Sequence, residues 1–197
     1  MEYNQEKKKI TCKRELSELD RFALDFLGII ERFTDYVVIS GYVSILLGRS
    51  RVTEDIDIFI KKITKEQFSN MYNALKEAGF WCINAEKEDE IFSYLEEGLA
   101  VRFSYEKTAI PNFELKFPKD KLDEEVFSDF IIVELPKGSI KISSLERHIA
   151  FKKYYLKSDK DKEDAKHIEE VFSSKIDYNK INKLKELIKN RNKNAGK

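Results

Sequence analysis

The sequence predicts an α/β (α+β) protein, in which a mixed β-sheet is flanked by helices and followed by a C-terminal helical part. Three observations predict it. Short β-branched or alternating runs read as strands. Apolar stripes at helical spacing lie between several of them. From Ser143 onward the pattern is helical, and residues 139 to 195 contain neither glycine nor proline. The reading divides the chain into an α/β core over 1–142, which includes an N-terminal helix, and a helical region over 143–197 packed on it, with no linker and no repeat.

Residues 1–13 read as a loose charged start. Leu16, Leu19, Phe22, Ala23, Phe26, Leu27, Ile30 and Phe33 recur at the spacing of one helix face, which predicts an amphipathic helix from Leu16 to Thr34. Tyr36-Val37-Val38-Ile39 then reads as a short buried strand ending at Ser40-Gly41. Val43, Ile45, Leu46 and Leu47 restart a helix that Gly48 stops. Asp55 to Ile60 alternates acid and apolar residues before turning apolar on both faces, as a central strand does. Phe68, Met71, Tyr72, Leu75 and Ala78 form the next helical stripe, closed by Gly79, and Phe80 to Ile83 is a strand. Ala100–Tyr105 and Phe113–Phe117 are expected to pair across the turn that holds Pro111. Phe130–Leu135 and Ser139–Ile142 flank Pro136-Lys137-Gly138, a hairpin signal. Ser143 or Ser144 can cap the first C-terminal helix, with Glu146 placed to complete a capping box from Ser143.

Bulk properties narrow the function classes. Of the 197 residues, 42% are hydrophobic, too many for a disordered chain, and 37% are charged, which points to well-solvated helix faces. Formal net charge is zero, so no global basic field draws nucleic acid. Two cysteines, Cys12 and Cys82, give neither a disulfide framework nor a CxxC metal pattern, which suits a reducing compartment. No apolar run approaches the ~18 residues of a membrane span, and no apolar segment follows the charged N-terminus as in a signal peptide. A cytoplasmic protein is expected, with no membrane partner.

The chemistry concentrates in Tyr36 to Ile60, YVVISGYVSILLGRSRVTEDIDIFI. Residues two apart on a strand face the same way, with Cα atoms roughly 6.5–7 Å apart, so Asp55 and Asp57 project together. Two such carboxylates can share one divalent ion or bracket two; without a cation they repel, and one holds its proton. Oxygen-only ligands favour Mg²⁺ or Mn²⁺ over zinc. Ser40-Gly41 lies between a strand and a helix, where glycine lets another group approach the backbone and the helix offers free N–H groups to an anion. An acidic metal pair beside an anion-binding turn suits phosphoryl chemistry on a nucleoside triphosphate. Arg49 and Arg51 precede the acidic strand, and Arg51 is the preferred phosphate contact.

This segment resembles the signature of the nucleotidyltransferase superfamily: a Gly-Gly or Gly-Ser turn, a helix, then an acid-apolar-acid strand. More narrowly, it is similar to abortive-infection toxin nucleotidyltransferases of the AbiEii type, with Arg51, Thr53, Asp55 and Asp57 matching their Arg-x-Thr-x-Asp-apolar-Asp stretch. The resemblance implies a nucleotidyltransferase fold, with Asp55 and Asp57 on the catalytic metals and Ser40, Gly41 and Ser44 against the triphosphate. It extends through LAVRFSYEKTAIPNFELKF, where Arg102 lies on one strand and Glu114 is the third carboxylate of the next. It ends in SSLERHIAFKKYYLKSDKDKEDAKHI, with Lys152, Lys160, Asp161 and Asp164. The implied catalytic and metal set is Asp55, Asp57 and Glu114; the implied nucleotide-binding set is Ser40, Gly41, Ser44, Arg51, Thr53, Lys152 and Lys160. Departures are Ser40 for the usual first glycine, Tyr42 after the second, Glu114 for the commoner aspartate, and Ser158 near the place of an expected arginine.

Plainer readings stand beside these. Glu114 is then a solvent-facing strand residue, Arg51 pairs with an acid such as Glu54, and Lys152 and Lys160 sit on helix surfaces. Asp161 and Asp164 complement a helix dipole. His148 and His167 are ordinary helix residues, and Phe151, Tyr154 and Tyr155 pack into the core. The lysine-rich tail KLKELIKNRNKNAGK is solvated or, alternatively, touches RNA. The leading expectation is a Mg²⁺- or Mn²⁺-dependent enzyme that moves a nucleoside monophosphate from an NTP to a hydroxyl. By resemblance the acceptor is a tRNA end or a protein, in a toxin–antitoxin or phage-defence setting with a cognate antitoxin. The rivals are a catalytically weak binding module or antitoxin-like protein of the same fold, and a metal-dependent nuclease.

Overall fold

A computed structural model describes residues 1–195; Gly196 and Lys197, at the end of the expected helical region and its lysine-rich tail, lie outside them. The chain opens with two strands, β1 (Glu2–Asn4) and β2 (Lys9–Thr11). This corrects the expectation of a loose start: the segment is polar, but it pairs with a partner far along the chain. Helix α1 (Glu18–Ile30) follows. It starts two residues later than the apolar stripe suggests because Ser17 and Asp20 form a capping box there. Strand β3 (Tyr36–Ile39), helix α2 (Gly41–Leu46), strand β4 (Asp55–Ile60), helix α3 (Lys65–Glu77) and strand β5 (Phe80–Cys82) fall where the periodicity puts them. Helix α4 (Glu88–Glu96) was not anticipated. Strands β6 (Val101–Tyr105) and β7 (Asn112–Lys116), the short helix α5 (Lys121–Glu124), and strands β8 (Phe130–Leu135) and β9 (Gly138–Ser143) complete the first part.

The C-terminal part is helical but interrupted. Helix α6 (Leu145–Phe151) runs into a π-helical turn over Lys152–Leu156, which ends at Lys157 in the left-handed conformation. Helices α7 (Asp159–Val171) and α8 (Tyr178–Ala195) follow, with a 3₁₀ turn between them. The expected Ser143–Glu146 capping box is absent. Ser144 is the cap, accepting from the Arg147 amide, and Glu146 instead accepts from the Asp177 amide and Lys180.

The nine strands form one mixed sheet in the order β1-β2-β8-β9-β3-β4-β7-β6-β5. Strand β4 is flanked by β3, antiparallel, and β7, parallel. The N-terminal strand β2 joins the other side of the sheet by pairing parallel to β8. On one face, Ile56, Ile58 and Ile60 of β4 and Phe113 and Leu115 of β7 are fully buried. Helix α1 lays Phe26 flat on Phe113 with ring centroids 4.1 Å apart, and Phe22 stacks on the same ring. Burying several aromatic rings of this size contributes on the order of 1.5–3 kcal/mol each. The opposite face carries Asp55, Asp57, Asn112, Glu114, Lys116 and Arg102 on β4, β7 and β6, beside Val37 and Ile39 of β3, and the C-terminal helices stand over it. The fold is the expected one, a large mixed sheet flanked by helices.

Candidate active site

The polar face is ordered by strand register. Ile39, Asp57, Glu114 and Arg102 form one row across β3, β4, β7 and β6, because each is the register partner of the next. One pleat along, Asp55 pairs with Asn112. Asp55 and Asp57 share this face, since Ile56 and Ile58 are buried on the other. The Ser40–Gly41 bend directly follows Ile39, the register partner of Asp57, so the turn and the acids adjoin.

Two basic side chains neutralise this row. Lys116, one pleat beyond Glu114, places its Nζ 2.6 Å from Asp57 Oδ1 and 2.9 Å from Glu114 Oε2. Arg102 donates to Glu114 Oε1 from Nε at 2.9 Å and Nη2 at 2.6 Å. Burial raises the Asp57 carboxyl above its ordinary pKa; Lys116 opposes this, while the charges of Glu114 and Asp55 reinforce it. Burial also acts to raise Glu114, but the hydrogen bonds from Lys116 and Arg102 outweigh it and the net shift is downward. Lys116 is held as an ammonium: burial lowers its pKa, Asp57 and Glu114 raise it more, and the net direction is up. Asp55 stands slightly apart, its Oδ1 accepting from Thr53 Oγ1 at 3.1 Å.

Whether these residues suit a divalent ion can be judged from what they already hold. Among the described residues no three His, Cys, Asp or Glu side chains converge as a ready ligand group. The Lys116 ammonium nevertheless acts as a stand-in cation between Asp57 and Glu114. Asn112 Oδ1, on the register partner of Asp55, is buried with no hydrogen-bond partner. The donors are all oxygens, which fits Mg²⁺ or Mn²⁺. Asp57 and Glu114 would hold such an ion, with Asp55 one pleat away.

The bend itself is strained. Ser40 has φ 62° and ψ −138°, a region that glycine occupies readily and serine does not. Gly41 is needed for a different reason: a Cβ there would lie 3.1 Å from Arg51 Nη2 and 3.3 Å from Thr53 Oγ1. Tyr42 anchors the turn from behind, donating to the fully buried Asp20 at 2.8 Å. Asp20 also accepts from Arg14 and Ser17. Burial opposes its ionisation, but these bonds hold its pKa down to about 2.

A cleft of about 470 Å³ opens on this face, between the row of charges and the C-terminal helices. Ser40, Asp57, Glu114, Lys116 and Arg102 line one side; His148, Phe151, Lys152 and Tyr155 line the other. Arg147, bonded to Leu122 O, and Arg191, bidentate to Asp123, fix the far wall. Behind the cleft lies a buried ion network. Asp164, fully buried, accepts from Arg49, from Arg51 at 2.5 Å and from Lys152 at 3.0 Å. Lys152 also reaches Asp161 at 2.6 Å. Burial works against the charge of Asp164, yet Lys152, Arg49 and Arg51 bring its pKa below the ordinary value.

The structure thus brings together Ser40, Asp57, Glu114 and Lys152 at the cleft, whereas Gly41 is packed against Arg51 and Thr53, and Asp55, bonded to Thr53, lies beside the row. It separates three other expected nucleotide contacts from the cleft. Ser44 is fully buried, 3.0 Å from His148 Nε2 behind the cleft wall. Arg51 pairs with Asp164, neither with Glu54 nor across open cleft. Lys160 is exposed on α7. The plainer readings need correction as well. Lys152 is 2% exposed rather than a surface lysine, and Tyr155 is 42% exposed at the cleft rather than in the core. His148 is not an ordinary helix position: burial and the Lys152 charge lower its pKa to about 3, keeping it neutral. Lys116 was missed although strand alternation reveals it, since Glu114-Leu115-Lys116 must put the lysine on the face of Glu114.

No protein-family model matches the chain, and no curated protein matches it significantly in sequence. Solved structures do. An antigenic nucleotidyltransferase-like protein from Paracoccidioides brasiliensis superposes with a TM-score of 0.54 at 13% identity, covering 89% of each chain. The antibiotic-resistance factor ANT(2'')-Ia gives 0.53 at 14% identity, over 91% of this chain and 97% of that one. ANT(2'')-Ia in complex with adenylyl-2''-tobramycin gives 0.51 at 11% identity, over 89% and 99%. At such identities the likeness is one of fold, and that fold is the nucleotidyltransferase fold.

Proposed function

We propose that the chain is a nucleotidyltransferase that binds a nucleoside triphosphate in the cleft and transfers its nucleoside monophosphate to an acceptor hydroxyl. The observation that carries the reading is the shared sheet face of Asp55, Asp57 and Glu114, of which Asp57 and Glu114, with Ser40, line a cleft of about 470 Å³. The acceptor oxygen forms a bond to the α-phosphorus, the α–β bridging P–O bond breaks, and pyrophosphate leaves with that electron pair. A bound Mg²⁺ or Mn²⁺ would neutralise charge developing on the phosphate oxygens. Asp57 and Glu114 would hold it, with Asp55 one pleat away on the same face. The bend at Ser40, on the edge of the cleft, faces a bound phosphate, and Lys152 supplies positive charge from the opposite wall. Glu114, kept ionised by Arg102, orients the acceptor hydroxyl and takes up its proton.

The motif resemblance supports placing the chain near the abortive-infection toxin type, with a tRNA end or protein hydroxyl as acceptor, a cognate antitoxin, and work in the cytoplasm. Among the described residues no helix is long and apolar enough to cross a membrane. A second reading, a catalytically weak binding module, is favoured by one specific observation, the ammonium of Lys116 bridging Asp57 and Glu114. The test is incubation with each α-labelled NTP, Mg²⁺ and either total RNA or lysate protein. Transfer predicts label on one acceptor class with pyrophosphate released, both abolished in Asp57→Asn. The binding-module reading predicts neither, and cleaved RNA without pyrophosphate points to a nuclease.

A further inference from the structure

Lys116 occupies the place where the proposed reaction needs a divalent ion. Its single ammonium makes two charge-assisted contacts, 2.6 Å to Asp57 and 2.9 Å to Glu114. The arrangement follows from the backbone: Asp57 and Glu114 are register partners on parallel strands, and Lys116 stands one pleat along on the same face. Its side chain is 26% exposed and lines the cleft, so it can turn outward without unpacking the sheet. Arg102 already takes the other oxygen of Glu114 from the cleft side. Asp57 and Glu114 are therefore balanced by Lys116 and Arg102, and a divalent ion entering between the acids meets a like charge on the same oxygens.

We infer that Lys116 is a built-in counter-ion that competes with the divalent ion for Asp57 and Glu114, so that the ion binds weakly until the lysine is displaced. A triphosphate in the cleft offers the displaced ammonium a new anionic partner, which makes ion and nucleotide binding mutually reinforcing. The inference rests on the functional reading for its ligand assignments, but its test needs no transfer activity.

Calorimetric titration of Mn²⁺ into chelator-treated wild type, K116M and K116R, without nucleotide, reads the competition. Losing two charge-assisted contacts corresponds to about ten- to hundredfold tighter Mn²⁺ binding in K116M, and adding D57N to K116M should remove the gain. K116R keeps a resident cation and stays weak. Thermal melts cover a poorly folded K116M: Mn²⁺ should raise its midpoint more than that of wild type. Equal Mn²⁺ affinity and equal thermal shifts in wild type and K116M would overturn the inference, as would K116R binding as tightly as K116M. Failure of the functional reading looks different: wild type would then transfer no label and release no pyrophosphate, or D57N would do both as well as wild type, whatever the Mn²⁺ titrations give.

Discussion

Replacing Asp164 by alanine removes the one anion that three cations share. Arg49, Arg51 and Lys152 all donate to it, from the loop before β4 and from the π-helical turn, while it sits fully buried on α7. Its loss leaves Arg51 with only a long 3.5 Å contact to Val52 O and Lys152 with Asp161 alone. Breaking a buried pair by deleting one partner costs about 3–5 kcal/mol, a large part of the ~5–15 kcal/mol that stabilises a domain. With an m-value of about 2 kcal/mol/M, the urea midpoint should fall by roughly 2 M. Asp161→Ala, which leaves Asp164 in place, should cost about 1 kcal/mol. Urea denaturation followed by circular dichroism measures both. A midpoint change below about 0.5 M for Asp164→Ala would refute the claim that this network ties α7 to the cleft wall.

Ser40→Gly should stabilise the fold: relief of the positive-φ strain, about 1–3 kcal/mol, exceeds the ~0.5–1 kcal/mol that glycine's flexibility costs. A melting midpoint at or below wild type would contradict this. His148 gives a pH signature. Its folded pKa is lowered to about 3 from an ordinary 6.5, so below pH 6.5 the unfolded chain binds a proton that the folded one refuses. Stability should therefore fall as pH drops from 6.5 to 4.5, by about 1.4 kcal/mol per unit. His148→Gln should flatten that slope, and an unchanged slope would place the titration elsewhere.

Much of the fold could be read directly because the relevant signals are local. Tyr36–Ile39 is a β-branched apolar run, Asp55–Ile60 opens with acid–apolar alternation, and a tight turn surrounds Lys137; β3, β4, β8 and β9 form there. The N-terminal hairpin was hidden because its strands are short and polar, and β2 is held by pairing with β8 across the chain. Helix α4 was hidden because Lys87 gives it no side-chain cap and its apolar stripe is only Ile91, Phe92 and Leu95, although its acidic first turn suits a helix N-terminus. The shared face of Asp55 and Asp57 followed from strand periodicity alone. The partners of Arg51 did not, since it meets Asp164 at a separation of 113 residues; nothing local distinguishes a phosphate-binding arginine from one committed to a buried acid. Ser44 is similar: its hydroxyl meets His148 at a separation of 104 residues.

Calorimetric titration of a non-hydrolysable triphosphate in the presence of Mg²⁺, into wild type and Asp57→Asn of verified fold, tests the central claim most directly. The account predicts saturable, Mg²⁺-dependent heat in wild type and its loss in the variant. Equal binding by both proteins, or binding indifferent to Mg²⁺, would contradict it.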